Sequence, residues 1–329
     1  MYLDGRPEAK LRMEAKDQGI ILRHGDIFGS LDVVGARNAL IFKENDVYHL
    51  FYDGCGPGSC ATCLATSRDL VHWEKNGRVF DNYKPGEMDY WTASPWVYHE
   101  NGIWHMFYLG GPNATHGFSA FPYLTFTAKS SSLAGPWIKQ KEPILQIRDN
   151  TYYSATASAG CVVKHDGEYL QFFSSTTRKH GHGCWLRTLG IARTKDLDGA
   201  WTIDPEPIVP IEEQIENSFL YYEPVCGMWF LFTNYIGRYE YGGEYTDAIW
   251  VYWTRDLNKW NPEHKAVVLD GSNCTWSKRC IGLPSVIPVG NRLAVFYDGP
   301  GGESVNHYCR NIGLAWLDLP LSPPVPLEG

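Results

Sequence analysis

The 329-residue sequence contains no long apolar run; its longest, Ala248–Trp253, spans six residues, far short of the roughly 18 that a membrane-spanning helix needs. No membrane partner is expected. Positive charge is scarce as well. With 29 Lys and Arg against 37 Asp and Glu the formal net charge is −8, whereas a nucleic-acid surface works through clustered Lys and Arg that displace counterions. No nucleic-acid partner is expected either. The first residues, MYLDGRPEAKLRMEAKDQ, hold no hydrophobic stretch for a secretion machinery to read, which predicts a cytoplasmic protein. Nine cysteines are an odd number, and in a cytoplasmic chain the default is free, buried thiols rather than a disulfide framework. Cys60 and Cys63, next to Cys55, have metal-ligand spacing, yet a structural zinc site needs four ligands and there is no second Cys-x-x-Cys. No metal site is predicted from them.

What is present is a folded, turn-rich composition: 44% apolar, 20% charged, 14% aromatic and 33 glycines, too hydrophobic for disorder. The chain also repeats itself. SRDLVHW at Ser67–Trp73 recurs as SSSLAGPW, TKDLDGAW and TRDLNKW, and as a degenerate AWLDLP at Ala315–Pro320; the tryptophans Trp73, Trp137, Trp201 and Trp260 lie 64, 64 and 59 residues apart. Upstream of each copy stands an alternating aromatic run, VYHLFYDG, IWHMFYLGG, EYLQFFSS, MWFLFTN and RLAVFYDG. Period-two alternation between Gly, Asp and Asn turns reads as strands. Four strands repeated five times predict an all-β, five-bladed β-propeller forming one domain over 1–329, with antiparallel blades at about 32–80, 89–145, 149–209, 215–269 and 278–320 and an N-terminal segment that helps close the ring. Because the Asp-Leu…Trp motif recurs in every blade, it is read as turn and inter-blade packing chemistry, not as a site.

The loops between second and third strands are long and differ in every blade, so the end of the propeller that carries them is the expected working face. Acidic groups that stand before the innermost strands converge there. Asp32, Asp89 and Asp149 precede the first strands of blades one to three, and Glu216 stands in IENSFLYYEP of blade four. A ring of carboxylates in a funnel lined by Trp91, Tyr153 and Tyr239 is suited to cleaving a glycosidic bond, which takes one acid to protonate the leaving oxygen and one carboxylate to activate water or attack carbon. His116, His180, His182 and His307 fall in the same loops, and HGHGC (His180–Cys184) with His116 offers a weak metal-binding pattern. No cofactor is expected, a metal ion in the central funnel being the remaining alternative.

The pattern YHLFYDG followed by LATSRDLVHWEKNG resembles the five-bladed propeller glycosidases of the superfamily containing glycoside hydrolase families 32, 43, 68, 117 and 130, over about Asp26 to Pro320. In families 32 and 43 an acidic trio comes from blades one, three and four. The resemblance implies that Asp32 matches the first member and Glu216 the third, with Asp149 or Asp89 supplying the other carboxylate. Blade one departs from those families in lacking an Asp-Pro at this point. The reading is a cytoplasmic glycosidase acting on a short oligosaccharide, exo-acting and inverting, with Glu216 as acid, Asp32 as base, and Arg37, Trp91, His116, Tyr153, Arg178, His180 and Tyr239 lining the substrate site. A phosphorylase, with Arg37, Arg178, Arg187 or Arg238 around phosphate, and a non-catalytic sugar-binding propeller are the alternatives.

Overall fold

The computed structural model describes residues 10–26, 30–57, 60–80, 86–112, 121–178, 185–238 and 244–324. They form five four-stranded antiparallel sheets, each running from an innermost to an outermost strand. Blade I is β2 (Gly35–Glu44), β3 (Val47–Cys55), β4 (Cys60–Ser67) and β5 (Glu74–Arg78); blade II is β6 (Trp91–Glu100), β7 (Ile103–Gly111), β8 (Leu124–Ser130) and β9 (Ile138–Lys139). Blade III is β10 (Thr156–His165), β11 (Glu168–Arg178), β12 (Trp185–Thr194) and β13 (Thr202–Ile203); blade IV is β14 (Ile215–Glu223), β15 (Met228–Arg238), β16 (Glu244–Thr254) and β17 (Lys265–Leu269). Blade V takes β18 (Gly282–Val289), β19 (Arg292–Gly299) and β20 (Asn311–Asp318) from the end of the chain and its outermost strand, β1 (Lys16–Leu22), from the beginning. The N-terminal segment thus supplies the outermost strand of blade V. It also straps blade IV, where Met13 and Ala15 donate backbone N–H bonds to Val267 and Val268.

The turns that the sequence marked do join inner to second strands. Asn101–Gly102 and Asp166–Gly167 take positive φ at both positions, the geometry that a two-residue hairpin requires and that Asn, Asp and Gly tolerate. The repeated motif is structural. Its leucines, Leu70, Leu133, Leu197 and Leu257, are buried, and three of its indoles donate to a backbone carbonyl within the motif, Trp73 to Leu70, Trp137 to Leu133 and Trp260 to Leu257. Each motif tryptophan then meets the second-strand phenylalanine of the preceding blade edge-on: Trp73 on Phe296, Trp137 on Phe51, Trp201 on Phe107 and Trp260 on Phe172, with centroids 5.7–6.3 Å apart. At the axis Phe42, Trp96 and Phe219, from the inner strands of blades I, II and IV, fill the space with centroid separations of 4.5–6.2 Å. These rings plug the channel.

All five inner strands carry a bulge at the same place, after Arg37, Ala93, Ser158, Glu216 and Gly282. A bulge bends the strand and frees a backbone group from the ladder. In three blades the freed N–H is taken by a side chain on the second strand of the blade before: Asn38 N–H by Asp298 Oδ2 at 2.6 Å, Ser94 N–H by Asp53 Oδ1 at 2.9 Å, and Asn217 N–H by Ser174 Oγ at 2.9 Å. Asp298 is fully buried, and its charge is met by Arg310, 2.6 Å away and equally buried.

In three blades a second repeated device ties the segment entering the blade to its outermost strand. Asp32 pairs with Lys75 of β5 at 2.7 Å and accepts the Tyr52 hydroxyl at 3.4 Å. Asp89 pairs with Lys139 of β9 at 2.6 Å and accepts the Tyr108 hydroxyl at 2.8 Å. In blade IV Glu213 takes the same part between Lys265 of β17 and the Tyr252 hydroxyl. Asp32 and Asp89, expected at the axis as catalytic groups, are therefore placed in buried clamps directed toward the blade rim. Removing one charge of a buried pair strands the other. Asp32→Asn is accordingly expected to lower the unfolding free energy by about 3 kcal/mol, read as a shift in the urea midpoint at constant slope; a midpoint within a few tenths of a molar of wild type would remove the clamp.

Candidate active site

The bulge that kinks β14 comes directly after Glu216 and turns its side chain toward blade III. There Arg187 of β12 donates from Nη1 to Glu216 Oε1 at 2.5 Å and, from Nε and Nη2, to Glu244 Oε2 of β16 at 3.0 and 2.7 Å. Thr176 Oγ1 accepts the same Nη1 at 3.3 Å. Burial works against the Arg187 charge, but the Glu216 and Glu244 carboxylates outweigh it and its pKa is raised. Two carboxylates from blade IV thus share one guanidinium from blade III. The Glu216 side chain keeps 25% of its surface open against 11% for Arg187, so of the two it is the one more accessible from solvent.

Around this pair stand aromatic groups from blades II and III. Trp91, at the start of β6, meets Tyr123 edge-on at 5.2 Å; Phe121 meets Tyr123 at 4.6 Å and Trp185 at 4.9 Å. The Tyr123 phenol is pushed up by burial and lies within electrostatic reach of Tyr308, Arg187, Arg37 and Glu216, which locates all of these at one end of the propeller. Arg37 occupies the position in blade I that Glu216 occupies in blade IV. Its Nη1 donates to the His307 carbonyl at 3.1 Å, its Nη2 to Asn38 Oδ1 at 3.3 Å, and its guanidinium lies 5.8 Å from the Tyr308 ring centroid. The Asn38 amide passes the contact on, donating to Asp53 Oδ2 at 2.6 Å and to Ser94 Oγ at 3.1 Å.

Of the residues singled out from sequence, the structure brings Glu216, Arg37 and Trp91 to this end. Asp149 is exposed in a turn, and Tyr153 is buried in a satellite cluster with Leu145, Ala157 and Phe173; neither joins the carboxylate pair. His116, His180 and Tyr239 lie outside the described residues, as do the side chains of Arg178 and Arg238. Among the described residues no group of three His, Cys, Asp or Glu could hold a metal ion. The expectation of free thiols is corrected at one place: the β3–β4 register sets Cys55 opposite Cys60, Cα atoms 4.0 Å apart, and the two are bridged, whereas Cys63 is free and buried. Glu244 and Tyr123 were missed; the signal for Glu244 was a carboxylate opening the third strand of the blade that carries Glu216. A groove of about 640 Å³ lined by Ile103, Ile138 and Tyr169 opens at the opposite end and contains none of these groups.

Burial raises the Asp53 carboxyl from 3.8 to about 6, against the pull of Arg37, the Ser94 N–H and the Asn38 amide. A carboxyl whose pKa is higher folded than unfolded holds its proton more tightly in the native state. The stability it adds is full below pH 3.8 and is lost as the pH rises through about 6. Asp53→Asn cannot ionise. The difference in unfolding free energy, wild type minus variant, should fall by on the order of 2–3 kcal/mol between pH 4 and pH 7 in paired denaturation series; a difference independent of pH would show that Asp53 does not titrate there.

No protein-family model matches the chain, and no curated protein matches its sequence. Solved structures do match. One described as a glycoside hydrolase superposes with a TM-score of 0.73 at 18% identity, covering 95% of this chain and 96% of that one. The catalytic domain of the Coprinopsis cinerea GH62 alpha-L-arabinofuranosidase gives 0.68 at 12%, covering 93% and 98%, and Zg3597, a family 117 glycoside hydrolase of Zobellia galactanivorans, gives 0.62 at 12%, covering 94% and 91%. At these identities the likeness establishes the fold: the chain is a five-bladed propeller of the architecture that glycoside hydrolases use, along nearly its whole length.

Proposed function

We propose that the protein is a glycoside hydrolase in which Glu216 and Glu244 are the working carboxylates and Arg187 holds them in register. The observation that carries this reading is their convergence on one buried guanidinium, on the loop-bearing end, beside an aromatic wall of Trp91 and Tyr123. Cleavage of a glycosidic bond requires a proton for the leaving oxygen and a carboxylate at the anomeric centre or on water. Glu216, the more open of the two, is assigned the proton; Glu244 activates the water. The likeness in fold to an alpha-L-arabinofuranosidase and a family 117 glycoside hydrolase favours the same chemistry.

Exo-action on a short oligosaccharide is part of the proposal; with Phe42, Trp96 and Phe219 closing the axis, no chain can thread through the ring. Inversion is the course proposed for the anomeric carbon, and it requires the two carboxyl groups to stand roughly 6.5–9.5 Å apart in the substrate complex. The Cys55–Cys60 bridge is of a kind that persists in oxidising compartments, which counts against the cytoplasmic location expected from the N-terminal sequence.

Glu216→Gln should reduce turnover of glycosides with poor leaving groups by about 10²–10⁴-fold and largely spare aryl glycosides whose leaving group needs no proton. Glu244→Gln should slow both kinds, with azide restoring turnover. The anomer formed first, read by NMR, reports inversion or retention. Both variants within twofold of wild type on every substrate would remove the pair from the chemistry.

A further inference from the structure

The arginines at the axial end differ in what answers their charge. Arg187 carries two carboxylates and Arg310 carries one. Arg37 has none within ion-pair distance among the described residues: its partners are a backbone carbonyl, an amide oxygen and an aromatic ring, and Asp53 is reached only through the intervening Asn38 amide. Its Nε is buried and meets no acceptor, and the Trp91 indole N–H, on the same end of the propeller, is buried without one too. Two donors withheld from water and left unpaired cost free energy, and such groups in a native structure call for an explanation. At the equivalent points of blades II, III and V stand Ala93, Ser158 and Gly282, so that of the five inner-strand positions only those of Arg37 and Glu216 carry long charged side chains.

A neutral sugar presents hydroxyls, which any polar side chain can meet. A guanidinium fork held rigidly on three sides is matched instead to a planar oxyanion, which takes two parallel N–H bonds and supplies the missing counter-charge. We propose that Arg37 binds a carboxylate carried by the sugar itself, so that the substrate class is an acidic oligosaccharide with a uronic acid unit in the funnel. This rests on the glycosidase reading for its consequence, since it names the substrate of that site, but the binding it asserts is measurable without turnover. Arg37 acts here as a binding residue, facing the carboxylate pair of blade IV across the same funnel.

The test is equilibrium titration of the full-length protein with galacturonate and galactose, with glucuronate and glucose, and with inorganic phosphate. One uronate of the two pairs should bind at least tenfold more tightly than its neutral counterpart. Arg37→Gln should bring the members of that pair within about twofold while the neutral sugar's affinity stays put, and Arg37→Lys, which keeps the charge but loses the fork, should fall between. An unchanged thermal midpoint in both variants confirms that folding is not the cause. Equal affinity for acid and neutral sugars in the wild type overturns the proposal, as does phosphate binding that depends on Arg37 with no preference for either uronate, which would make the anion free phosphate. Hydrolysis of aryl uronides with kcat/KM unaltered by Arg37→Gln also overturns it and leaves the glycosidase reading standing. Arg37-dependent uronate binding with no glycoside hydrolysed upholds it and removes that reading instead.

Discussion

The axial end of this protein depends on one kind of contact: a polar side chain on the second strand of a blade accepting the N–H that a bulge has freed in the next. A bulge without such an acceptor would leave a donor unpaired in the interior, at a cost of roughly 1–3 kcal/mol each. Asp298, Asp53 and Ser174 remove that cost in three of the five blades. The bulges in turn re-aim the residues before them, so the bonds that join blades also set the directions of Arg37 and Glu216. Structure and site share their supports here. Asp298 shows the coupling most plainly, because it accepts from blade I while pairing with Arg310, whose other Nη1 contact is Thr246 of blade IV.

How much of this was legible in the sequence follows from the range over which each signal acts. The blades were legible because strand alternation and the Asp-Leu…Trp turn are local and recur; the loop-bearing end followed from loop length alone. Glu216 was legible as the acid that stands at the start of the blade-four inner strand, IENSFLYYE. Asp32 and Asp89 misled for a physical reason: the lysines that answer them, Lys75 and Lys139, sit on the outermost strands of their blades, and nothing within a few residues of either aspartate announces that pairing. Arg187 and Glu244 come together only when blades III and IV pack, so neither can be linked to the other by spacing. Counting cysteines over the whole chain likewise hid a bridge that the register of a single hairpin creates between Cys55 and Cys60.

The same three chemical ingredients, a carboxylate, a cation and a tyrosine hydroxyl, serve opposite ends here. In the clamps they are enclosed, and each charge is answered within its own blade. At the axial end the groups come from different blades, are partly open, and are not balanced one to one: two carboxylates share Arg187 while Arg37 stands apart. An imbalance of this sort does little for folding, whereas it gives the funnel a defined polarity from one side to the other.

The closure of blade V has a kinetic side. β1 pairs with β20, joining Lys16 to Trp316, the longest separation in sequence that any sheet here spans. During synthesis β1 emerges without a partner and waits while the blades between it and β20 are made before its ladder can form. Loop-closure entropy of that size is met before the contact rewards it, and non-local pairing of this kind is slow. Four blades can be complete while the ring is still open, with the apolar flanks of the first and last of them facing water. Strapping of the N-terminal segment along Val267 and Val268 of blade IV parks that strand beside its destination one blade early, shortening the final search to the docking of a neighbour.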